Sequence, residues 1–446
     1  MRGVHAANTA STVILAGRRS SLSRPTSLWV TRRAVGCVDD VPQNGGMTAT
    51  PLAREATPPI GRGVSSRLAP VLLIPPGHSA QLVEALLAML LVVRIAVPGV
   101  PLPIPQLAAI ALVVIGLFRR PTRSFSGAPW YPIVAVVLLG FLVIETLVNG
   151  LDPVRRGANI ASLFLFAAFL ATGRIDIGSV LKGLGVGLVL NAVLFYLHVA
   201  PDDYQGRLTG FLQDKNAGAL VYAVGAVLLA MAAKKGFWRW LILAAGGVAI
   251  VLTDSRTTMA AYGVALVFLI VSGRMHRAVE VLALAIGVFV FLWADDNLTK
   301  LGDYAFSREG SDAFRLRIDT AASLKAQAAP WYGSGLNTAT VHLDSGTWFF
   351  HNSYDALIVE GGIVLLVIML AIYLVTGLGL STRVEVDALS FQSRAITAAT
   401  AILCMCALRL GEVFFAPVGF LVLGVGLARL LSPASAKRED FAAAPH

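Results

Sequence analysis

Long apolar segments separated by short polar connectors occupy most of this chain. Each segment is about long enough to cross ~30 Å of hydrocarbon as a helix that rises ~1.5 Å per residue. Strands of an outer-membrane barrel would instead alternate apolar and polar residues in shorter segments. The pattern therefore predicts an all-α polytopic membrane protein with about 12 transmembrane helices. We expect them at residues 79–97, 103–118, 130–148, 158–173, 178–199, 216–233, 239–253, 257–272, 278–294, 354–380, 390–409 and 411–431.

The hydrophilic parts divide the chain into five regions. Residues 1–68 are rich in Ser, Arg, Thr, Pro and Gly and are expected to form a disordered cytoplasmic leader, with Met47 as an alternative start of translation. Helices one to nine then fill residues 69–294. A long extracytoplasmic loop, residues 295–353, separates helices nine and ten, and helices ten to twelve occupy residues 354–431. A cytoplasmic tail, residues 432–446, follows.

Basic residues in the short connectors predict the orientation of the helices. With twelve spans, all of these clusters fall on the side of the leader, which is the cytoplasmic side according to the positive-inside rule. We therefore expect a protein of the cell inner (cytoplasmic) membrane, with both termini in the cytoplasm and the long loop outside. The clusters are Arg119, Arg120 and Arg123; Lys234, Lys235 and Arg239; Arg274 and Arg277; Lys437 and Arg438.

Composition supports the membrane prediction and limits the possible partners. Hydrophobic residues make up 56% of the chain and charged residues 14%, whereas a soluble domain carries about 25% charged residues. The net charge of +10 lies largely in the leader and at helix ends, which favours contact with membrane lipids and not with nucleic acid. The three cysteines do not suggest a disulfide framework. Because nucleotide motifs and His/Cys metal clusters are missing from the sequence, we expect no cofactor and no metal.

Arginines in three outward segments are candidates for binding an anion. They are Arg207, Arg256 in a tight polar turn, and Arg315 in the long loop, with Lys215 and Asn216 as supporting residues. Guanidinium groups bind phosphate oxygens in a bidentate manner. The alternative is that interfacial arginines only fix the depth of the helices. Asp254 could also pair with Arg256 in a purely structural role.

His351 is the leading candidate for proton transfer. It lies where the long loop re-enters the membrane, next to Asn352 and near a helix N-terminus that would favour the neutral imidazole. Asp355, four residues later, lies on the same helical face and could orient the ring. Alternatively, His351 caps the helix or anchors it at the interface. His198 and His342 are rival candidates in less suggestive positions.

Several polar residues fall within the predicted spans. Because such residues are costly in lipid, we expect them to face the interior of the helix bundle. They are Glu84, Arg94, Glu145, Asn191, Glu360, Arg409 and Glu412.

Four of these segments, in this order, resemble the O-antigen ligase and polymerase superfamily of bacterial membrane enzymes. In two respects the chain departs from the pattern: the superfamily often has an aromatic residue where this chain has Asp319, and glycine where it has Thr257. These departures leave the subgroup open. The matching segments are Arg207-Leu208-Thr209-Gly210-Phe211 with Asn216; Ser255-Arg256; Arg315 with Pro330, Gly333 and Gly335; and His351-Asn352-Ser353-Tyr354 with Glu360-Gly361-Gly362.

The resemblance implies an inverting, metal-independent glycosyltransferase at the outer face of the membrane. The donor would be a glycan on a polyprenyl diphosphate, and the acceptor a lipid, a glycan or a protein. Arg207, Arg256 and Arg315 would neutralise the diphosphate, and His351 would act as general base on the acceptor hydroxyl.

Three other functions stay open at this stage. A repeat-unit polymerase of the same superfamily would use the same donor chemistry. A transporter or flippase of lipid-linked sugars would suit twelve spans equally well, although such proteins tend to contain internal repeats. A membrane scaffold whose loop binds a cell-wall polymer is the third possibility.

Overall fold

The computed structural model describes residues 81–95, 99, 102–233, 235–272, 277–298, 304–343, 346–379 and 390–433. The predicted leader lies outside these residues, as do the predicted tail beyond residue 433 and the basic residues Lys234, Arg274, Lys437 and Arg438. The helices are α1 Leu82–Met89, α2 Ile104–Leu117, α3 Trp130–Val148, α4 Val154–Thr172, α5 Ile177–Tyr196, α6 Lys215–Ala232, α7 Gly236–Thr253, α8 Arg256–Val271, α9 Arg277–Leu298, α10 Tyr304–Ala328, α11 Ser353–Leu378, α12 Phe391–Cys406 and α13 Pro417–Ala428.

Six helices of the described part of the chain are long and apolar enough to cross a membrane: α3, α4, α5, α6, α7 and α11. Six shorter apolar helices accompany them: Leu82–Val92, α2, α8, the Leu282–Trp293 part of α9, α12 and α13. Helix α13 is apolar on all sides and almost wholly buried, as expected of a helix at the centre of a bundle. The prediction of a helical integral membrane protein is confirmed, and the count of twelve spans stays a prediction.

Hydrogen bonds between described connections group them at two ends of the bundle. At one end, which we call the basic end, Thr122 N donates to Thr172 O (2.9 Å) and strand β1, Arg123–Ser124, pairs with β4, Ser432–Pro433. At the other, the loop end, Arg94 N donates to Phe211 O (2.8 Å). That the loop end faces outward stays a prediction.

The region predicted as a long loop contains regular structure. Helix α10 is followed by an antiparallel hairpin of β2, Thr340–Leu343, and β3, Gly346–Phe349. Helix α10 forms because apolar residues recur every four positions, at Ile318, Ala322 and Ala326, and give it one buried face. This face packs against the hairpin and the start of α11, so the region is held against the bundle.

The last two predicted spans need a correction. They were predicted to be almost continuous, at residues 390–409 and 411–431, but α12 ends at Cys406 and α13 begins only at Pro417. Proline favours the first turn of a helix, where its missing N–H is not needed. Arg409 and Glu412 therefore lie in the intervening connection and are exposed, as is Arg94 beyond α1, contrary to expectation. Glu84, Glu145, Asn191 and Glu360 are buried, as expected.

Candidate functional site

Asp254 brings two of the predicted basic residues together at the loop end. It lies between α7 and α8 in the left-handed region (φ 55°), which Asp tolerates better than most residues. Its Oδ2 forms ion pairs with Arg207 Nε at 3.2 Å and with Lys215 Nζ at 3.7 Å. Arg207 and Asp254 are more than a third exposed, so solvent screens this pair and its main effect is to position the cations. Arg256 follows Asp254 by two positions, is the first residue of α8, and is exposed.

Asn216 holds the starts of α6 and α8 side by side. Its Oδ1 accepts a hydrogen bond from Ser255 Oγ at 3.0 Å, and the same hydroxyl lies 3.1 Å from Thr258 Oγ1. Asp214 caps α6 by accepting from Ala217 N at 2.6 Å. Two helix N-termini, each with a partial positive charge, therefore lie beside Arg207, Lys215 and Arg256.

Arg315 lies on α10 and approaches this group from the loop side. Tyr204 Oη donates to Asp214 Oδ2 at 3.3 Å. Burial and the charge of Asp214 raise the pKa of Tyr204, and the positive charge of Arg315 partly offsets that increase. Arg315 therefore lies near the segment that carries Arg207 and Lys215. The structure places all four predicted basic residues at one end of the bundle.

His351 pairs with a residue of α10 and not with the one that the sequence suggested. Its Nδ1 lies 3.0 Å from Asp319 Oδ1, and both side chains are 34% exposed. The expected partner, Asp355, instead accepts a hydrogen bond from Asn352 Nδ2 at 3.0 Å. Asn352 also caps α11, because its Oδ1 accepts from Tyr354 N at 3.0 Å. The pairing with Asp355 was wrong because α10 crosses the start of α11, a contact that sequence spacing does not reveal.

The end of α12 joins the histidine segment to the basic residues. Ser353 N donates to Ala407 O (2.8 Å), and Tyr354 Oη donates to Cys404 O (2.7 Å). On its other side, Cys406 Sγ lies 3.8 Å from Thr258 Oγ1 at the start of α8. The N-termini of α6, α8 and α11 thus converge around the same end of α12.

The rival histidines lie elsewhere. His342, on the exposed face of β2, has its Nδ1 2.8 Å from Thr347 Oγ1 across the hairpin. His198 is exposed after the end of α5. Within the described residues, we find no group of three His, Cys, Asp or Glu side chains that could hold a metal ion.

Glycines fasten the end of the loop to a break in α11. The helix loses helical geometry at Gly361 and Gly362, where Ile363 N donates to Trp331 O (3.0 Å) and Ser334 N to Val359 O (2.8 Å). A Cβ on Gly362 would lie 2.0 Å from Trp331 O. We call this contact, residues 331–337 against 359–363, the glycine interface. The glycines of the sequence motifs therefore hold the loop close to the bundle.

An ion network beneath the glycine interface was missed in the sequence. Arg156 Nη1 lies 2.7 Å from Glu412 Oε1, and its Nη2 lies 3.4 Å from Glu360 Oε2. Glu360 also accepts from Asn337 N at 3.1 Å. The signal in the sequence was an arginine near the start of a span together with a buried glutamate. Arg156 and Glu360 are 204 positions apart, and nothing in the local sequence of either residue indicates the other, so the sequence alone could not pair them.

Replacing Arg156 by alanine should destabilise the protein. Glu360 would be left buried without its charged partner, and breaking a buried ion pair in this way costs about 3 kcal/mol or more. Thermal unfolding of the detergent-purified protein measures the effect. Arg155, the exposed neighbour of Arg156, provides the matched control. The Arg155→Ala variant should unfold at nearly the wild-type temperature. Equal losses in the two variants would contradict the structural role of the network.

The fold and this arrangement define an integral membrane protein with a cationic cluster and a His–Asp pair at one end of its helix bundle. Residues 240–370 match the family model described as O-Antigen ligase. This match confirms the resemblance to the O-antigen ligase and polymerase superfamily. It contains Arg256, Arg315 and His351, whereas Arg207, Lys215 and Asn216 lie before it. No curated protein matches the chain.

Proposed function

We propose that the chain is a membrane glycosyltransferase that moves a glycan from a polyprenyl-diphosphate carrier to an acceptor outside the cytoplasmic membrane. One observation carries the proposal. Arg315 and Asp319 are one turn apart on α10, and their partners belong to the two halves of the site. Arg315 lies near the segment of Arg207 and Lys215, while Asp319 contacts His351. Helix α10 thereby connects an anion-binding group with a proton acceptor.

In this proposal, the basic residues bind the diphosphate. Arg207, Lys215, Arg256 and Arg315 supply positive charge that neutralises the departing diphosphate, and the N-termini of α6 and α8 add to it. His351 accepts the proton of the acceptor hydroxyl as its oxygen attacks the anomeric carbon. The bond to the diphosphate oxygen breaks, and the electron pair leaves with the carrier. Attack on the face opposite the leaving group inverts the configuration.

A cavity at the loop end could hold part of a lipid. It has a volume of about 120 Å³, and most of its lining is apolar, with Arg94 and Glu412 among the polar exceptions. Ala217 of α6 contributes to this lining, two residues after Lys215. An apolar tail in the cavity would therefore place an attached diphosphate close to the basic residues.

The proposed location is the cytoplasmic membrane, with both termini in the cytoplasm and the loop end outward. Purified protein, a polyprenyl-diphosphate oligosaccharide and an envelope acceptor extract provide the test, with His351→Ala as the inactive control. We expect wild type alone to release polyprenyl diphosphate and form a larger glycan. One product of increased size indicates a ligase, and a ladder indicates the alternative, a polymerase. Movement of the intact donor across liposomes without release would replace the proposal with a transporter.

Replacing Arg315 by glutamine should weaken use of the donor. Hydrogen bonds to charged groups are worth about 1.5–3 kcal/mol, so kcat/KM for the donor should fall about 10- to 100-fold. Steady-state release of polyprenyl diphosphate measures this. Arg317→Gln is the matched control, because Arg317 is also exposed on α10 but lies two positions away, on another face. If both variants lost the same activity, Arg315 would contribute only to the overall charge of the loop.

A further inference from the structure

We propose that Asp319 is the positioning residue for His351, an inference that rests on the proposed function. The carboxylate Oδ1 lies 3.0 Å from Nδ1 of the imidazole, which is hydrogen-bond distance. Both side chains are about one third exposed, at 34% each. The pair is therefore accessible to a substrate and is still fixed by direct contact.

A shared hydrophobic cluster holds the two partners in place. On α10, Ile318 precedes Asp319 and is 2% exposed; Phe350 precedes His351 and is also 2% exposed. These two apolar residues belong to the same buried cluster as Val341 and Val359. Because each partner follows an anchored residue, the distance between them is fixed before any substrate binds.

Lys325 strengthens the attachment of α10 at its other end. Its Nζ donates to Thr338 O at 2.7 Å and to Thr340 O at 2.8 Å, just before and within β2. Burial lowers the pKa of Lys325, since the charged form loses hydration. These two bonds prevent α10 from sliding along the hairpin that leads to His351.

The contact determines which nitrogen can accept a proton. When Nδ1–H donates to Asp319, the lone pair of the neutral ring lies on Nε2. Among the described residues, Nε2 has no hydrogen-bond partner. The proton of the acceptor hydroxyl moves to Nε2 as the new C–O bond forms and the bond to the diphosphate breaks. The imidazolium then lies beside the carboxylate, which stabilises its charge.

Asp355 does not compete for this task. Its Oδ2 accepts from Asn352 Nδ2 at 3.0 Å, and Asn352 is committed to the cap of α11. The assignment is therefore specific to the carboxylate on α10, although two carboxylates lie near the histidine segment.

Steady-state kinetics of Asp319→Asn and Asp319→Glu test the assignment. Asparagine keeps the shape but removes the charge and can donate to Nδ1, which stabilises the wrong tautomer. We expect kcat to fall about 100-fold, within the range for general-base catalysis, while KM for the donor changes less than about twofold because the arginines are intact. Glutamate should restore at least about a tenth of the wild-type kcat. Asp152→Asn, an exposed carboxylate next to α4, is the matched control and should keep the wild-type rate.

The outcomes separate this inference from the proposed function. If wild type transfers glycan and His351→Ala does not, but Asp319→Asn keeps its kcat, the positioning role is wrong and the proposed function stands. An equal loss in the asparagine and glutamate variants, with a raised KM or a lower unfolding temperature, would indicate a merely structural residue and overturn the inference. A wild-type protein that transfers nothing contradicts the proposed function and the inference with it.

Discussion

The His351→Ala variant should fold normally and lose glycan transfer by about 10²- to 10⁴-fold, the usual contribution of a general base. His351 is about one third exposed, at 34%, and its ring contacts the loop helix through one hydrogen bond to Asp319. Truncating it therefore leaves no large buried cavity. The unfolding temperature in detergent should stay close to that of wild type. The measurement is the formation of polyprenyl diphosphate in single-turnover experiments, so that slow dissociation of the products does not mask the chemical transfer step.

His342→Ala is the matched control for that variant. His342 belongs to the same loop region, is exposed, and makes a similar hydrogen bond, to Thr347 Oγ1 at 2.8 Å. Its side chain lies on the exposed face of the hairpin. We expect this variant to transfer glycan at the wild-type rate. If the two variants lost activity equally, or if neither lost any, the assignment of His351 as general base would be wrong.

The periodic apolar segments were sufficient to predict the helical membrane class. Each transmembrane helix must satisfy its own backbone hydrogen bonds in lipid, so a long apolar run identifies a helix with little dependence on its neighbours. Helix α10 was not predicted from the sequence, because its buried face is narrow and charged residues interrupt the apolar pattern. This face consists of Ile318, Ala322 and Ala326. Tertiary packing against the hairpin stabilises it, and that packing cannot be read from local sequence.

The candidate site was predictable in its members but not in its pairings. Arg207, Arg256 and Arg315 are conspicuous as cations in outward segments, and His351 as a titratable residue where the loop re-enters the membrane; all four lie in segments that resemble the superfamily. Their partners depend on which helix ends meet in space. Asp319 lies 32 positions before His351, and Glu360 lies 204 positions from Arg156. Contacts at such separations arise from the topology of the bundle, whereas the four-residue spacing between His351 and Asp355 favoured that pairing only through helical geometry.

The motif residues divide into two groups with different tasks. Arg207, Arg256, Arg315 and His351 present polar groups at the loop end, where a substrate could reach them. Gly333 and Gly362 present none, and instead allow the two backbone segments of the glycine interface to approach each other. A Cβ on Gly335 would meet Thr146 and Leu151, and a Cβ on Gly361 would meet Leu142 and Leu365. Loss of activity therefore has two distinct causes in this protein, and measuring stability beside activity separates them.

Gly362→Ala should remove both stability and activity. Gly362 has a φ of 67° and a ψ of −169°, a conformation that is essentially restricted to glycine and costs other residues about 1–3 kcal/mol. Its Cβ would also lie 2.0 Å from Trp331 O, so the two segments of the glycine interface must separate. Separation would break the hydrogen bond from Ile363 N to Trp331 O. A total loss of about 3 kcal/mol or more is expected from the strain, the overlap and the lost bond.

The control for this prediction is a helical glycine that faces open space. Gly140 lies in α3, and a Cβ there would meet nothing within 4 Å; alanine also favours the helix by up to about 1 kcal/mol. Gly140→Ala should therefore match or exceed the wild-type unfolding temperature and retain full transfer. Gly362→Ala should unfold at a temperature several degrees lower than wild type and transfer glycan more than about 100-fold more slowly. The reason is that the loop region, which carries Arg315, Asp319 and His351, loses its attachment to α11 at the glycine interface. An unfolding temperature within about 2 °C of wild type for Gly362→Ala would show that the loop does not depend on this contact.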